Sequence, residues 1–145
     1  MDEVASRSSA RLFLAVVPDA GTAERIHQLA GLLKRAHHLD GKLITPKRLH
    51  ISLFALSGLP DGQLCAAWEA AMDVRAEPFE VLFDRSVSFR GRPDNRPFVL
   101  IGEKGLRGLQ SFRQMLGAAM MRRGLRRLAS TNFTTCHVAV RPARR

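Results

Sequence analysis

The sequence predicts an α+β fold in which two similar lobes face each other across a cleft. Strand patterns and amphipathic helix patterns follow one another along the 145 residues, and each half of the chain contains one short strand pattern that presents a histidine. Strands are predicted over 11–17, 49–54, 79–83, 87–89, 98–101 and 136–140, and helices over 21–38, 63–74 and 106–123. With one histidine strand in each half, this order favours two comparable lobes.

Length and composition indicate a single domain over residues 11–145, preceded by a polar lead-in over residues 1–10 that we expect to be disordered. Hydrophobic residues make up 46% of the chain, which is enough for a core. The formal net charge of +10 predicts a polyanionic partner, of which RNA is the commonest. A surface that serves solubility alone is the alternative explanation of this charge.

The apolar runs and the cysteines exclude several classes of protein. No apolar run approaches the roughly 20 residues of a membrane-spanning helix, and no signal-peptide pattern opens the chain. We therefore expect a cytoplasmic protein that has no membrane partner. Cys65 and Cys136 are far apart and lie in no Cys-x-x-Cys pattern, which argues against a disulfide scaffold and against a structural zinc site.

A strand pattern in the first half of the chain alternates apolar and polar residues at period two. Its apolar side chains point to one face, at Leu49, Ile51 and Leu53. His50 and Ser52 point together to the other face. An imidazole can move a proton and a hydroxyl can hold a phosphoryl oxygen, so the pair suits phosphate chemistry. A polar face in contact with solvent is the alternative.

A second strand pattern, near the end of the chain, repeats this arrangement. Val138 and Val140 point inward, whereas His137 and Ala139 point outward. Two strands that each offer one histidine are what a two-histidine acid–base site requires. Cys136 precedes His137 and therefore points to the opposite face, which argues against a thiolate nucleophile paired with this imidazole.

These two strands resemble the paired His-x-Thr/Ser-hydrophobic motifs of the 2H phosphoesterases. The most similar branch is the RNA 2',3'-cyclic phosphodiesterases, also known as the 2'-5' RNA ligase or LigT-like family. The resemblance extends over most of the chain. It includes the first strand, the flanks of the first motif, a middle hairpin and the approach to the second motif, at 11–18, 45–60, 88–100 and 124–133.

The resemblance implies mostly antiparallel sheets with helices on the outside, and a site that needs neither a metal nor another cofactor. It implies that His50 protonates the leaving ribose oxygen and His137 activates water, although the sequence alone does not assign these roles. It also implies that Ser52 holds the phosphate and that Phe13 lines the cleft for base stacking. A place in the core is the alternative for Phe13. We expect a monomer that binds RNA or a nucleotide with a cyclic phosphate.

The chain departs from the family pattern in two places. Ala139 stands where the second motif has a hydroxyl, and the chain ends at Arg145, where the family usually continues into further strand. The second departure leaves open whether one sheet is complete. Arg141 lies on the same predicted face as His137, so it could supply a charged donor in place of the missing hydroxyl. A frayed terminal arginine is the alternative.

Further expectations concern residues outside the motifs. Trp68 falls in the apolar stripe of the second helix and is expected in the core, whereas the other histidines, His27, His37 and His38, are expected at the surface. Basic residues near the site could guide phosphates, with solvated basic turns and a helix-dipole role as the alternatives. They are Lys47, Arg48 and the arginines at 90, 92, 96, 122, 123, 126 and 127.

The leading hypothesis is metal-independent hydrolysis of RNA 2',3'-cyclic phosphate ends to 2'-phosphates, with 2'-5' ligation as the reverse reaction. One alternative is a phosphodiesterase of a small cyclic nucleotide, such as an ADP-ribose cyclic phosphate. The alternative from another class is a non-catalytic RNA-binding protein on a degenerate 2H scaffold, which Ala139 would favour.

Overall fold

The computed structural model describes residues 12–39, 41–88 and 98–126. The predicted strand over 136–140, with His137, Ala139 and Arg141, lies outside these residues, as does the lead-in over 1–10. The described chain contains four strands, three α-helices and short 3-10 turns at Pro46–Arg48 and Lys104–Leu106. The strands are β1 (Phe13–Val16), β2 (Ile51–Ala55), β3 (Arg85–Ser88) and β4 (Phe98–Ile101), and the helices are α1 (Ala20–Ala36), α2 (Asp61–Asp73) and α3 (Arg107–Arg122).

Two small antiparallel sheets organise the described residues. Strand β1 pairs with β2, and β3 pairs with β4. The α+β class, the antiparallel pairing and the three predicted helices are therefore confirmed.

Helix α1 begins at Ala20 because the preceding Asp19 caps it: the Thr22 hydroxyl and backbone N–H both donate to its carboxylate. These two hydrogen bonds hold the pKa of Asp19 below its ordinary value.

The main core lies between the inward face of β2 and the helices α2 and α3. Burial of these apolar side chains supplies most of the driving force for bringing the three elements together. Its buried members are Ile51, Leu53, Phe54, Leu56, Ala67, Ala70, Leu106, Leu109, Leu116, Ala119, Met120 and Leu125. A second apolar cluster joins α1 to the start of the motif strand and to β4, through Ala23, Leu49, Ile26, Ile44, Phe83 and Leu100.

A β-bulge interrupts the alternation of β2. Ser52 is opposite Ala15 and Phe54 is opposite Leu14, so Leu53 has no partner of its own in β1. The extra residue interrupts the alternation of side chains between the two faces of β2. As a result Leu53 and Phe54 are both buried, at 3% and 2% exposure. Strict alternation would have placed Phe54 on the outward face with Ser52. The bulge therefore keeps a second large apolar side chain in the core without turning Ser52 inward.

The predicted strand over 79–83 is wrong. Within this segment the Leu82 N–H donates to the Gly105 carbonyl, and just after it the Asp84 N–H donates to the Ile101 carbonyl, each over 3.0 Å. The segment packs against glycines instead of pairing in a ladder. A Cβ at Gly105 would lie 2.5 Å from the Leu82 carbonyl oxygen. The lack of a side chain there lets two backbones approach closely, which a residue-by-residue strand pattern does not reveal.

The expected core position of Trp68 is also wrong, since this side chain is 65% exposed. The buried residues of α2 are Ala67 and Ala70. Small side chains at these positions let α2 approach the rest of the core closely, and the helix is rotated so that Trp68 faces away. The apolar stripe of α2 therefore lies slightly off the one that hydrophobicity alone indicates, because the size of the side chains decides which positions fit.

Candidate active site

The outward face of the β1–β2 ribbon carries the first motif. On β2 the motif places Ser52 on this face, and the half-buried His50 lies just before the strand begins. On β1 the same face carries Phe13 and Ala15, and Ser52 is opposite Ala15 across the ribbon. The inward residues on either side of the histidine, Leu49 and Ile51, are buried. Burial of these two neighbours holds the histidine and the serine outward.

One hydrogen bond orients the imidazole of His50. Its Nδ1 lies 2.8 Å from the carbonyl oxygen of Arg48, in the turn that precedes the strand. A carbonyl only accepts, so the hydrogen bond assigns the proton to Nδ1. The remaining ring nitrogen, Nε2, is then the atom that can accept a proton or, once protonated, donate one. The turn at Pro46–Arg48 thus determines which edge of the ring is available for chemistry.

Phe13 stacks against His50. The centroids of the two rings are 4.7 Å apart and their planes are inclined by 28°. The phenyl ring is 44% exposed, so it does not lie in the core. Ala15 and Ser52 are small and leave room on the ribbon for the phenyl ring to reach the imidazole. Phe13 therefore lies on the same face as both polar residues of the first motif and holds one side of the imidazole.

Arg113 of α3 contacts the ribbon from the side of the core and is not among the site residues predicted from the sequence. Its Nε donates to the carbonyl oxygen of Leu53, the bulged residue, at 3.2 Å, and its guanidinium carbon lies 4.6 Å from the centroid of the Phe54 ring. The sequence does contain a signal that Arg113 faces the core. Arg113 follows Leu109 by four residues and precedes Leu116 by three, so it is an arginine within the apolar stripe of a helix.

The basic residues divide into two groups. Lys47 and Arg48 are exposed beside the first motif. Arg122, the last residue of α3, and Arg126, which follows the helix, are also exposed. Arg123 instead forms ion pairs with Glu69 and Asp73 of α2. Its hydrogen bond lowers the pKa of Asp73 from the ordinary value. Arg123 therefore joins two helices, and these ion pairs favour a structural role for this arginine. The arginines at 90, 92, 96 and 127 lie outside the described residues.

The predicted surface position of His27 is wrong. This residue is half-buried, and its Nδ1 lies 2.8 Å from the carbonyl oxygen of Ile44. This bond joins α1 to the segment that leads to the first motif. His37 and His38 are exposed, as expected.

The described residues contain neither a cluster of side chains suited to a metal ion nor a helix suited to crossing a membrane. Within 12–39, 41–88 and 98–126, no three His, Cys, Asp or Glu side chains are grouped so that they could hold a metal ion. None of the helices in these ranges is long and apolar enough to cross a membrane.

Comparisons with known proteins agree with the resemblance noted in the sequence. The family described as LigT like Phosphoesterase matches residues 16–99, more than half of the 145-residue chain. No curated protein matched the chain in a search by sequence.

Solved structures with a similar fold include LigT of E. coli in complex with 3'-AMP. It has 22% sequence identity and a TM-score of 0.65, over 93% of this chain and 72% of LigT. A crystal structure described as a phosphoesterase has 21% identity and a TM-score of 0.65, over 91% of this chain and 72% of its own. E. coli LigT in complex with ATP has 21% identity and a TM-score of 0.60, over 92% and 78% of the two chains. At these identities the likeness shows the fold.

Proposed function

The chain belongs to the LigT-like phosphoesterase family, and on this premise we propose that it hydrolyses RNA 2',3'-cyclic phosphate ends to 2'-phosphates. The reaction uses His50 and His137 as its acid and base and needs no metal. The observation that carries the proposal is the outward face of the β1–β2 ribbon. There His50, with Nε2 available, lies on the same face as a hydroxyl and an exposed aromatic ring.

The reaction transfers two protons. His137 takes a proton from water as the water oxygen forms a bond to phosphorus. The bond from phosphorus to the ribose O3' breaks, and His50 donates the proton on Nε2 to that oxygen. The Nδ1–H of His50 keeps its hydrogen bond to Arg48 throughout, so the ring does not turn while the proton moves. In the reverse, ligating direction the two histidines exchange roles.

The other residues of the proposed site bind the substrate. Ser52 donates its hydroxyl to a phosphoryl oxygen, and Arg141 supplies a charged donor where Ala139 offers none. Phe13 stacks on the base of the terminal nucleotide, with its exposed surface available for that contact. In this proposal His137 and Arg141 belong to a second lobe that faces the β1–β2 ribbon across a cleft.

Ligands of the similar structures support this substrate class. E. coli LigT has been crystallised with 3'-AMP, with ATP and with NADP+. Each of these molecules is a nucleotide that carries phosphate on ribose. They support a site that accepts a phosphorylated ribose, which is the part of an RNA end on which the proposed reaction acts.

The test is an assay of the purified chain, in EDTA, on an oligonucleotide with a 2',3'-cyclic phosphate end. We expect a product with a 2'-phosphate and no cyclic phosphate. A 3'-phosphate product would contradict the proposed bond cleavage, and retained activity in His137→Ala would contradict the two-histidine mechanism. A matched assay on a mononucleoside 2',3'-cyclic phosphate and on an ADP-ribose cyclic phosphate separates RNA processing from turnover of a small cyclic nucleotide.

Ala139 favours one other candidate function, a non-catalytic RNA-binding protein on a degenerate 2H scaffold. The variant Ala139→Thr restores the hydroxyl of the family motif. In a working enzyme it should raise the rate by at most the effect of one donor, about 10²–10³-fold. If the wild type and Ala139→Thr are both inactive and RNA still binds, the binding-protein function replaces the proposed one.

A further inference from the structure

We propose that a basic strip beside the first motif binds the phosphate backbone of single-stranded RNA. This inference rests on the proposed function and names its substrate as a polynucleotide, of which the nucleotides preceding the cyclic end contact the strip. The strip is formed by the last turn of α1, the segment after it and the turn before β2. Its members are Lys34, Arg35, His37, His38, Lys42, Lys47 and Arg48.

The two parts of the strip lie on neighbouring pieces of chain. The His27 Nδ1–H donates to the Ile44 carbonyl and joins α1 to the segment after it. Leu43 packs on α1 at Gly31, where a Cβ would stand 3.7 Å from the Leu43 Cδ1. At the end of α1 the Leu39 N–H donates to the Lys34 carbonyl over 2.9 Å. Helix α1, which carries Lys34 and Arg35, and the segment after it, which carries Lys42, therefore pack against each other.

Among the described residues, no acidic side chain forms an ion pair with the exposed cations of the strip. Arg35, Lys42, Lys47 and Arg48 are exposed, and in the described parts of the chain none of them is within ion-pair distance of a carboxylate. The sequence from 25 to 60 contains a single acid, Asp40. Positive charge therefore accumulates in this region.

The helix dipole explains only part of the strip. Cations in the last turn of a helix interact favourably with its carbonyl end, which accounts for Lys34 and Arg35. Lys42, Lys47 and Arg48 lie outside any α-helix of the described chain. A structural role at the end of α1 therefore does not account for them, and binding of an extended polyanion does.

The strip is continuous with the candidate site. The backbone carbonyl that orients His50 belongs to Arg48, a member of the strip. The face of the β1–β2 ribbon itself presents uncharged groups beside His50, namely Phe13, Ala15 and Ser52. A terminal nucleotide can occupy this face, but the attraction for further phosphates comes from the strip. Such contacts are independent of base sequence and strongly dependent on salt.

The experiment compares two double variants of the full chain. Arg35→Gln with Lys42→Gln removes two cations of the strip, and Arg75→Gln with Lys104→Gln removes two exposed cations outside it. The probe is a labelled single-stranded RNA that ends in a 2'-phosphate, a product that the enzyme does not hydrolyse. We expect the strip variant to lower the slope of log affinity against log salt by about 1.4, since each phosphate contact on a single strand contributes about 0.7. The control variant should keep the wild-type slope.

Turnover separates failure of the strip from failure of the proposed function. In the strip variant kcat/KM should fall more for a cyclic-phosphate oligonucleotide than for a mononucleoside 2',3'-cyclic phosphate. Equal salt slopes for the two double variants would overturn the strip and leave the hydrolase function standing. If the wild type hydrolyses neither substrate, the hydrolase function fails, and the salt slope still decides whether the strip binds RNA. Should Arg35→Gln unfold α1, Lys42→Gln alone should lower the slope by about 0.7, and an unchanged slope would overturn the strip.

Discussion

His27 and His50 make the same hydrogen bond in two different regions of the molecule. In both, Nδ1 lies 2.8 Å from a backbone carbonyl oxygen, that of Ile44 for His27 and that of Arg48 for His50. The bond of His27 spans 17 residues and joins α1 to a distant segment. The bond of His50 spans two residues and orients its own ring. The first bond holds the fold together, whereas the second aims a side chain.

The surroundings of the two histidines also separate a structural residue from a candidate catalytic one. His27 is half-buried beside the apolar cluster that includes Ile26 and Ile44. The ring of His50 is stacked by an exposed phenyl group and shares an outward face with Ser52. An identical hydrogen bond therefore does not distinguish a structural histidine from a candidate catalytic one. The span of the bond and the face on which the ring lies do.

The largest expected effect is that of His50→Ala on turnover. Loss of a general acid should reduce kcat by about 10²–10⁴-fold. The stability should fall by about the 0.5–1.5 kcal/mol of the lost contact with the Phe13 ring, because the hydrogen bond that is lost is local to the 48–50 turn. Rates on a cyclic-phosphate oligonucleotide and a thermal melt of the same preparation provide the measurement. Wild-type kcat in His50→Ala would remove this residue from the mechanism.

Ser52→Ala should have the next largest effect. Removal of one preorganised donor to a phosphoryl oxygen typically lowers the rate by about 10²–10³-fold. Ser52→Thr retains a hydroxyl and suits a strand, so it is the matched control and should keep most of the activity. If the two variants lose activity equally, the hydroxyl is not the group that acts.

Phe13→Leu should lower activity modestly. The aromatic contact with His50 contributes about 0.5–1.5 kcal/mol, a factor of roughly 2–10 in rate if it orients the imidazole. In that case the change appears in kcat and in the pH dependence of kcat. If Phe13 serves only as a stacking surface for the base, KM rises and kcat does not change. Phe13→Trp keeps an aromatic ring and should retain most of both parameters.

His27→Ala should act on stability and leave kcat near the wild-type value. The variant removes a half-buried hydrogen bond, for which the typical contribution is about 0.5–1.5 kcal/mol of unfolding free energy. Chemical denaturation measures this loss, and His37→Ala, at an exposed histidine of the same region, is the control. A loss of kcat without a loss of stability would reverse the comparison between the two histidines.

Much of the architecture around the candidate site could be predicted from the sequence, because it depends on local geometry. Side chains alternate along a strand whatever surrounds it, so Leu49, Ile51 and Leu53 were predicted on the inward face and are buried there. The three helices were found by the same logic, since a helical repeat of about 3.6 residues is also local. The outward direction of Ser52 and the place of His50 beside it follow from the same alternation.

What only the tertiary structure decided depends on partners that are distant in the sequence. The bulge at Leu53, with the burial of Phe54 that it permits, depends on β1 and on Arg113 of α3. Trp68 is exposed because small alanines form the buried face of α2, and 79–83 is not a strand because Gly105 admits its backbone. The tautomer of His27 follows from its hydrogen bond to the carbonyl of Ile44, 17 residues away. Periodicity reports which face of an element is apolar, whereas the shape and the polar groups of its neighbours determine how that face is used.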